Sequence, residues 1–121
     1  MSSNENEIAS LLPLTPVVFH ILLAVSHRQL HGYAIMQEVN RRTEDRVGLG
    51  PGTLYGAIQR MEDTGLLRKA SAPKSEKPDP RRRYYSMTGL GRAALHAEAD
   101  RLEALVAYVR GEGIGSGSQA Q

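Results

Sequence analysis

From Pro16 onward, apolar residues recur every three or four positions over three successive stretches, the spacing that gathers them on one face of a helix. In the first stretch Val18, Ile21, Leu22 and Val25 carry the stripe. Thr15-Pro16 in front of it is a helix start, because the Thr hydroxyl caps free backbone N–H groups and Pro needs no N–H in a first turn. A helix is predicted near 16–27. His31-Gly32 interrupts the pattern, and Ala34, Ile35 and Val39 then mark a second helix from Tyr33 to Thr43. Val47-Gly48-Leu49-Gly50-Pro51-Gly52 is too rich in Gly and Pro to stay helical, so the chain turns there and restarts at Gly52 or Thr53. In the third helix Leu54, Ala57, Ile58 and Met61 fall at i, i+3, i+4 and i+7, which turns Thr53, Gly56, Gln59 and Arg60 outward. Gly65 supplies the left-handed residue that ends this helix, with Leu66 available for the accompanying apolar contact.

Beyond Gly65 the helical spacing is lost. Leu66–Ser71 and Arg82–Met87 are short, rich in aliphatic or aromatic residues, and flank a polar segment holding Pro73, Pro78 and Pro80, which predicts an antiparallel hairpin with a long loop. Tyr84 and Tyr85 alternate along the return strand, so one is expected inside and the other outside. Thr88 can cap a last helix that runs to about Arg110. Along it Leu95, Leu102 and Val109 recur every seven residues with Ala99, Leu105 and Val106 between them, a seam of the kind that faces a partner helix. The same seam could instead pack on the chain's own first helix. Residues 1–13 read as a flexible N-terminus and 111–121, mostly Gly, Ser and Gln, as a disordered tail. A domain over 14–87 and a C-terminal helix over 88–110 remain between them.

Composition narrows the class. The chain has 121 residues, the common size of one domain, and its 40% apolar content includes one Phe and no Trp, so Leu, Ile and Val must fill the core. With no Cys there are no disulfides, thiolate metal sites or nucleophilic thiols, which suits the cytoplasm. Val17–Val25, the most apolar run, is far short of the roughly 20 residues that span a membrane. No export signal precedes it, since Glu5 and Glu7 have the wrong sign for a secretory leader. Net charge is only +2, but the positive charge is concentrated. Between Arg68 and Arg83 stand Arg68, Lys69, Lys74, Lys77, Arg81, Arg82 and Arg83 against Glu76 and Asp79 alone.

Three helices, then a hairpin with a basic loop, is the order of a winged helix-turn-helix, mainly α with a small β-hairpin, here extended by a long C-terminal dimerisation helix. The third helix would enter the major groove of double-stranded DNA. Thr53, Tyr55 and Gln59 are its candidate readers, Gln being able to pair bidentately with an adenine edge. A phosphate could dock on the backbone N–H groups at Gly52, and Tyr33 could reach another. Lys74, Lys77, Arg81, Arg82 and Arg83 on the hairpin would follow the phosphate backbone or enter the minor groove, giving affinity more than specificity.

Four short segments extend this reading. Leu30-His31-Gly32-Tyr33, Gly52-Thr53-Leu54-Tyr55, Met61-Glu62-Asp63-Thr64-Gly65-Leu66-Leu67 and Arg82-Arg83-Tyr84-Tyr85-Ser86-Met87-Thr88-Gly89-Leu90-Gly91, in this order and spacing, resemble the PadR family of transcriptional regulators over roughly 14–110. The resemblance implies a winged-helix repressor that dimerises through its C-terminal helix and often releases its operator when a small-molecule effector, here of unknown identity, binds. It implies Gly52, Thr53 and Tyr55 in the DNA-facing turn, and Arg82, Arg83 and Tyr84 at the wing's return strand. The family often has Pro after the Gly-Thr-Leu-Tyr motif, whereas this chain has Gly56. A single C-terminal helix matches the short members, which have less material for an effector pocket.

Two rival functions are weaker. For an enzyme, His20, His27, His31 and His96 lack Cys partners and metalloprotease spacing, and Gly48-x-Gly50-x-Gly52 lacks the strand that precedes a nucleotide loop. No metal and no cofactor is expected. A winged-helix module that docks a protein without specific DNA binding is the other alternative.

Overall fold

The computed structural model of the chain describes residues 2–111. Five helices, α1 (Ser2–Leu11), α2 (Pro16–Ala24), α3 (Gly32–Arg42), α4 (Pro51–Asp63) and α5 (Gly89–Gly111), are joined by three short strands, β1 (Leu30–His31), β2 (Leu67–Ala70) and β3 (Tyr84–Met87). Helices α2, α3 and α4 are the three anticipated from the apolar spacing. Ile21 and Leu22 of α2, Ile35 and Val39 of α3, and Leu54, Ile58 and Met61 of α4 meet as the largest fully buried side chains.

The helix ends follow local chemistry. Thr15 caps α2, its hydroxyl accepting from the Val18 N–H at 3.2 Å. The helix then stops at Ala24, earlier than 27, because the Ser26 hydroxyl and N–H both bond back to the Leu23 carbonyl and close the last turn. At the end of α4, Gly65 takes φ +83, with its N–H on the Glu62 carbonyl and the Leu66 N–H on the Met61 carbonyl, the paired bonds of a left-handed cap. Asn40 fixes the turn between α3 and α4. Its side-chain amide donates to the Leu49 carbonyl at 2.9 Å and accepts from the Leu49 N–H at 2.8 Å, which seats Leu49 in the core.

Several features differ from the sequence expectations. Residues placed in a flexible N-terminus form α1, and Leu11 and Leu12 at its end pack against the core. Strand β1 was not anticipated. It pairs with β3, Leu30 opposite Tyr85 and His31 opposite Tyr84, so the hairpin becomes a three-stranded antiparallel sheet in the order β1-β3-β2. Because β3 is central, both tyrosines are buried at 4% exposure rather than one inside and one outside. Tyr85 joins the helical core, while Tyr84 lies on the opposite face against the His31 ring, centroids 5.4 Å apart and edge-on. Leu95, assigned to the partner-facing seam, is buried in the chain's own core, because the first turns of α5 pack along α2 and the sheet. The expected tail over 111–121 lies, beyond Gly111, outside the described residues.

The base of α5 is pinned by a buried carboxylate. Glu98, 3% exposed, accepts from the Leu14 N–H at 3.3 Å and from Nε and Nη2 of Arg101 at 2.9 and 2.6 Å. The Arg101 hydrogen bonds hold its pKa below the ordinary value despite burial. Glu98 thus ties the long helix to the start of α2.

Candidate nucleic-acid interface

Helix α4 buries Leu54, Ala57, Ile58 and Met61 and leaves Gly52, Thr53, Tyr55, Gln59 and Arg60 on its exposed face. The helix begins one residue before the anticipated start, at Pro51, after Gly50 in extended geometry with no side-chain cap bond. A 13-residue helix whose first turn lacks a side-chain cap presents N–H groups and positive dipole outward, a physical basis for phosphate docking beside Gly52 and Thr53.

Across from α4 stands the loop 71–83 between β2 and β3. An open concavity of about 730 Å³ separates the two, lined among others by Tyr33, Tyr55, Gln59, Arg81, Arg82 and Arg83. Tyr33 at 57% and Tyr55 at 49% exposure present their rings from α3 and α4. Six residues named from sequence therefore meet around one groove. Lys74 and Lys77 are exposed on the same loop but do not line it. Gln59 is already engaged along the helix, one amide N–H donating to Asp63 at 3.1 Å.

Sequence reasoning passed over the acids of this groove. Asp79 accepts from the Arg81 N–H at 3.0 Å, and its carboxylate meets the Arg81 and Arg82 guanidinium groups at 3.3 and 3.8 Å. The backbone and side-chain bonds from Arg81 push the Asp79 pKa down, and the same pair pushes that of Arg81 up. Glu62 of α4 holds Lys69 of β2 at 2.9 Å and so fastens the hairpin to the helix. His31 was also missed. Its Nδ1 accepts from the Ala34 N–H at 3.2 Å as the cap of α3, and burial, with Arg82 nearby, lowers its pKa. The one sequence signal for these roles is Pro78-Asp79-Pro80, a turn that points an acid back at the arginines that follow.

On α5, Ala99 is exposed, as are Leu102 (38%), Leu105 (50%), Val106 (48%) and Val109 (38%), leaving an apolar stripe on the distal helix without a partner among the described residues. Tyr108, not named from sequence, extends it.

The description "Transcriptional regulator PadR-like family" matches residues 21–97, from the middle of α2 into α5. The chain belongs to the PadR-like family. Members of this family are transcriptional regulators and not enzymes. The chain is 36% identical over 96 residues to the transcriptional regulator Rv3488 of Mycobacterium tuberculosis, covering 78% of this chain and 83% of that one. It is 40% identical over 79 residues to an uncharacterized 37.1 kDa protein in transposon TN4556 of Streptomyces fradiae, a match that takes in 65% of this chain but 21% of that protein's length. Among solved structures, a PadR family transcription regulator from Clostridium difficile superposes with a TM-score of 0.66 at 22% identity, covering 79% of this chain and 96% of that chain. Bacillus subtilis PadR, solved in complex with operator DNA, superposes with a TM-score of 0.57 at 19% identity, over 70% of this chain and 47% of that one. The fold is the winged helix, with α4 in the place of the third helix and 71–83 as the wing. Among the described residues no helix is long and apolar enough to cross a membrane.

Proposed function

We propose that this PadR-family chain represses transcription from the cytoplasm by binding, as a homodimer, a double-stranded DNA operator with two half-sites. The observation that carries the reading is the shared groove: the exposed face of α4 and the arginines of the wing, Arg81, Arg82 and Arg83, line one concavity with Tyr33 and Tyr55. Thr53, Tyr55 and Gln59 then read base edges, while the Gly52 turn, Tyr33 and the wing, including Lys74 and Lys77, hold phosphates. The exposed stripe from Ala99 to Val109 supplies the contact between two copies, with recognition helices about 34 Å apart on one face of the duplex. An effector that loosens the operator would act on this assembly, and thermal-shift screening of small aromatic compounds is the means of finding it.

A gel-shift titration against DNA upstream of the chain's own gene tests the reading. A specific shift that weakens steeply with salt is expected, because each neutralised phosphate releases counterions. No specific, salt-sensitive shift would leave the fold as a protein-docking module.

A further inference from the structure

We propose that Tyr84 is the positioning residue of the wing, a latch that holds Arg81, Arg82 and Arg83 opposite α4 before DNA arrives; this rests on the DNA-binding reading above. Tyr84 is buried, yet it stands apart from the helical core. Its ring lies edge-on against His31, and its hydroxyl donates to Glu76 in the wing. That bond raises the Tyr84 pKa, and Arg82, close to the same hydroxyl, opposes the shift.

The loop is folded to suit. One turn closes with the Glu76 N–H on the Pro73 carbonyl at 3.0 Å, and a second with the Arg82 N–H on the Asp79 carbonyl at 2.9 Å. Glu76 and Asp79 are half-buried, whereas Lys74, Ser75 and Lys77 between and before them are exposed. Glu76 thus turns to Tyr84 of the sheet and Asp79 to the arginines that follow it, while the lysines face solvent. A long basic loop left free would lose conformational entropy on docking to DNA, which weakens binding. Tethering it in advance through Glu76 removes part of that cost. A negative charge inside a phosphate-binding loop is thereby explained, since its repulsion of phosphate would by itself disfavour it.

The sign of the Glu76 effect separates the two accounts. Glu76→Ala removes a negative charge, so electrostatics alone tightens DNA binding, whereas loss of the latch weakens it. Tyr84→Phe keeps the ring on His31 and changes no charge. Both variants are to be titrated against a duplex that the wild-type chain selects from a random pool, with thermal midpoints measured alongside. The expected result is weaker binding by about three- to tenfold for each. Trypsin should also cut faster after Lys74 or Arg81 while the helical core stays intact. Combined with Arg81→Ala, Arg82→Ala and Arg83→Ala, Tyr84→Phe should add no further loss, because it acts through those arginines. Wild-type binding with Tyr84→Phe indistinguishable from it, or tighter binding by Glu76→Ala, overturns the latch alone. Absence of salt-sensitive binding by the wild-type chain overturns the proposed function and this role with it. Should Tyr84→Phe fail to fold, Glu76→Ala carries the test.

Discussion

Tyr55 of α4 lies across Gly32 at the start of α3. A Cβ at residue 32 would come within 2.5 Å of the Tyr55 hydroxyl oxygen and 2.8 Å of its ring. The glycine is therefore the floor on which an exposed aromatic of α4 rests. Gly32 directly follows His31, which caps α3 and pairs with Tyr84 in the sheet, so the surface under the ring is fixed where strand and helix meet.

Gly32→Ala is expected to swing the half-exposed Tyr55 ring, whose tip it meets, toward solvent at a cost of no more than about 1 kcal/mol. Urea unfolding measures the cost. Adding Tyr55→Ala should recover most of it, a coupling that a double-mutant cycle reads directly. DNA affinity should fall in both single variants, since each takes the ring from its place in the groove.

The stripe Leu54, Ala57, Ile58 and Met61 was legible because a helix period is set within one element, and all four residues are buried. Thr15 and Gly65 were legible for the same reason, each acting within a few residues of itself. Strand β1 was not, because two residues carry no period and are a strand only by virtue of β3 beside them. The same long-range pairing buries both Tyr84 and Tyr85, and packing of α5 along α2 takes Leu95 into the core. The candidate site divided likewise: its exposed residues could be named from the helix face and the basic run. The acids that restrain them, Glu76 and Asp79, needed the folded loop to be seen.

Under the proposed function, Asp79, which pairs with Arg81 and Arg82, competes with phosphate for them. Asp79→Asn keeps an acceptor for the Arg81 N–H but removes the charge, so the variant should bind mixed-sequence duplex DNA more tightly than wild type. Arg81→Ala with Arg82→Ala should act oppositely and equally on all sequences, lowering the slope of log affinity against log salt by about 2. Gln59→Ala, by contrast, should change preference among sequences. Fluorescence anisotropy over a salt series on selected and mixed duplexes separates the three. Unchanged slopes in the double-arginine variant would remove the wing from the interface.

Acid should loosen the start of α3. His31 caps the helix with an unprotonated Nδ1, and burial together with Arg82 depresses its pKa from 6.5, while Glu76 and Asp79 nearby act in the opposite sense. The folded state then binds fewer protons than the unfolded one, so the contribution is complete above pH 6.5 and is lost as pH falls through the depressed value. His20 shifts in the same direction, chiefly by burial, so the acid limb carries both residues. His31→Asn retains a capping acceptor without a titrating ring. It should flatten part of the fall in stability below pH 6.5 that denaturant midpoints record for the wild type, and His20→Phe part of the remainder.

The two ends of α5 should respond to substitution in different ways. Leu95, at 8% exposure, is part of the protomer core, so Leu95→Ala should lower stability by about 2–5 kcal/mol, with reduced DNA binding only as a consequence of unfolding. Leu105 and Val109 are exposed and lie beyond the last buried residue of the helix, Glu98. Leu105→Asp with Val109→Asp should therefore leave the protomer folded and convert a dimer to a monomer in sedimentation at micromolar concentration. Its DNA affinity should fall because the second half-site is no longer delivered by an attached copy. A wild-type chain that sediments as a monomer under the same conditions would assign the stripe from Ala99 to Val109 to some other partner and withdraw the two-half-site geometry.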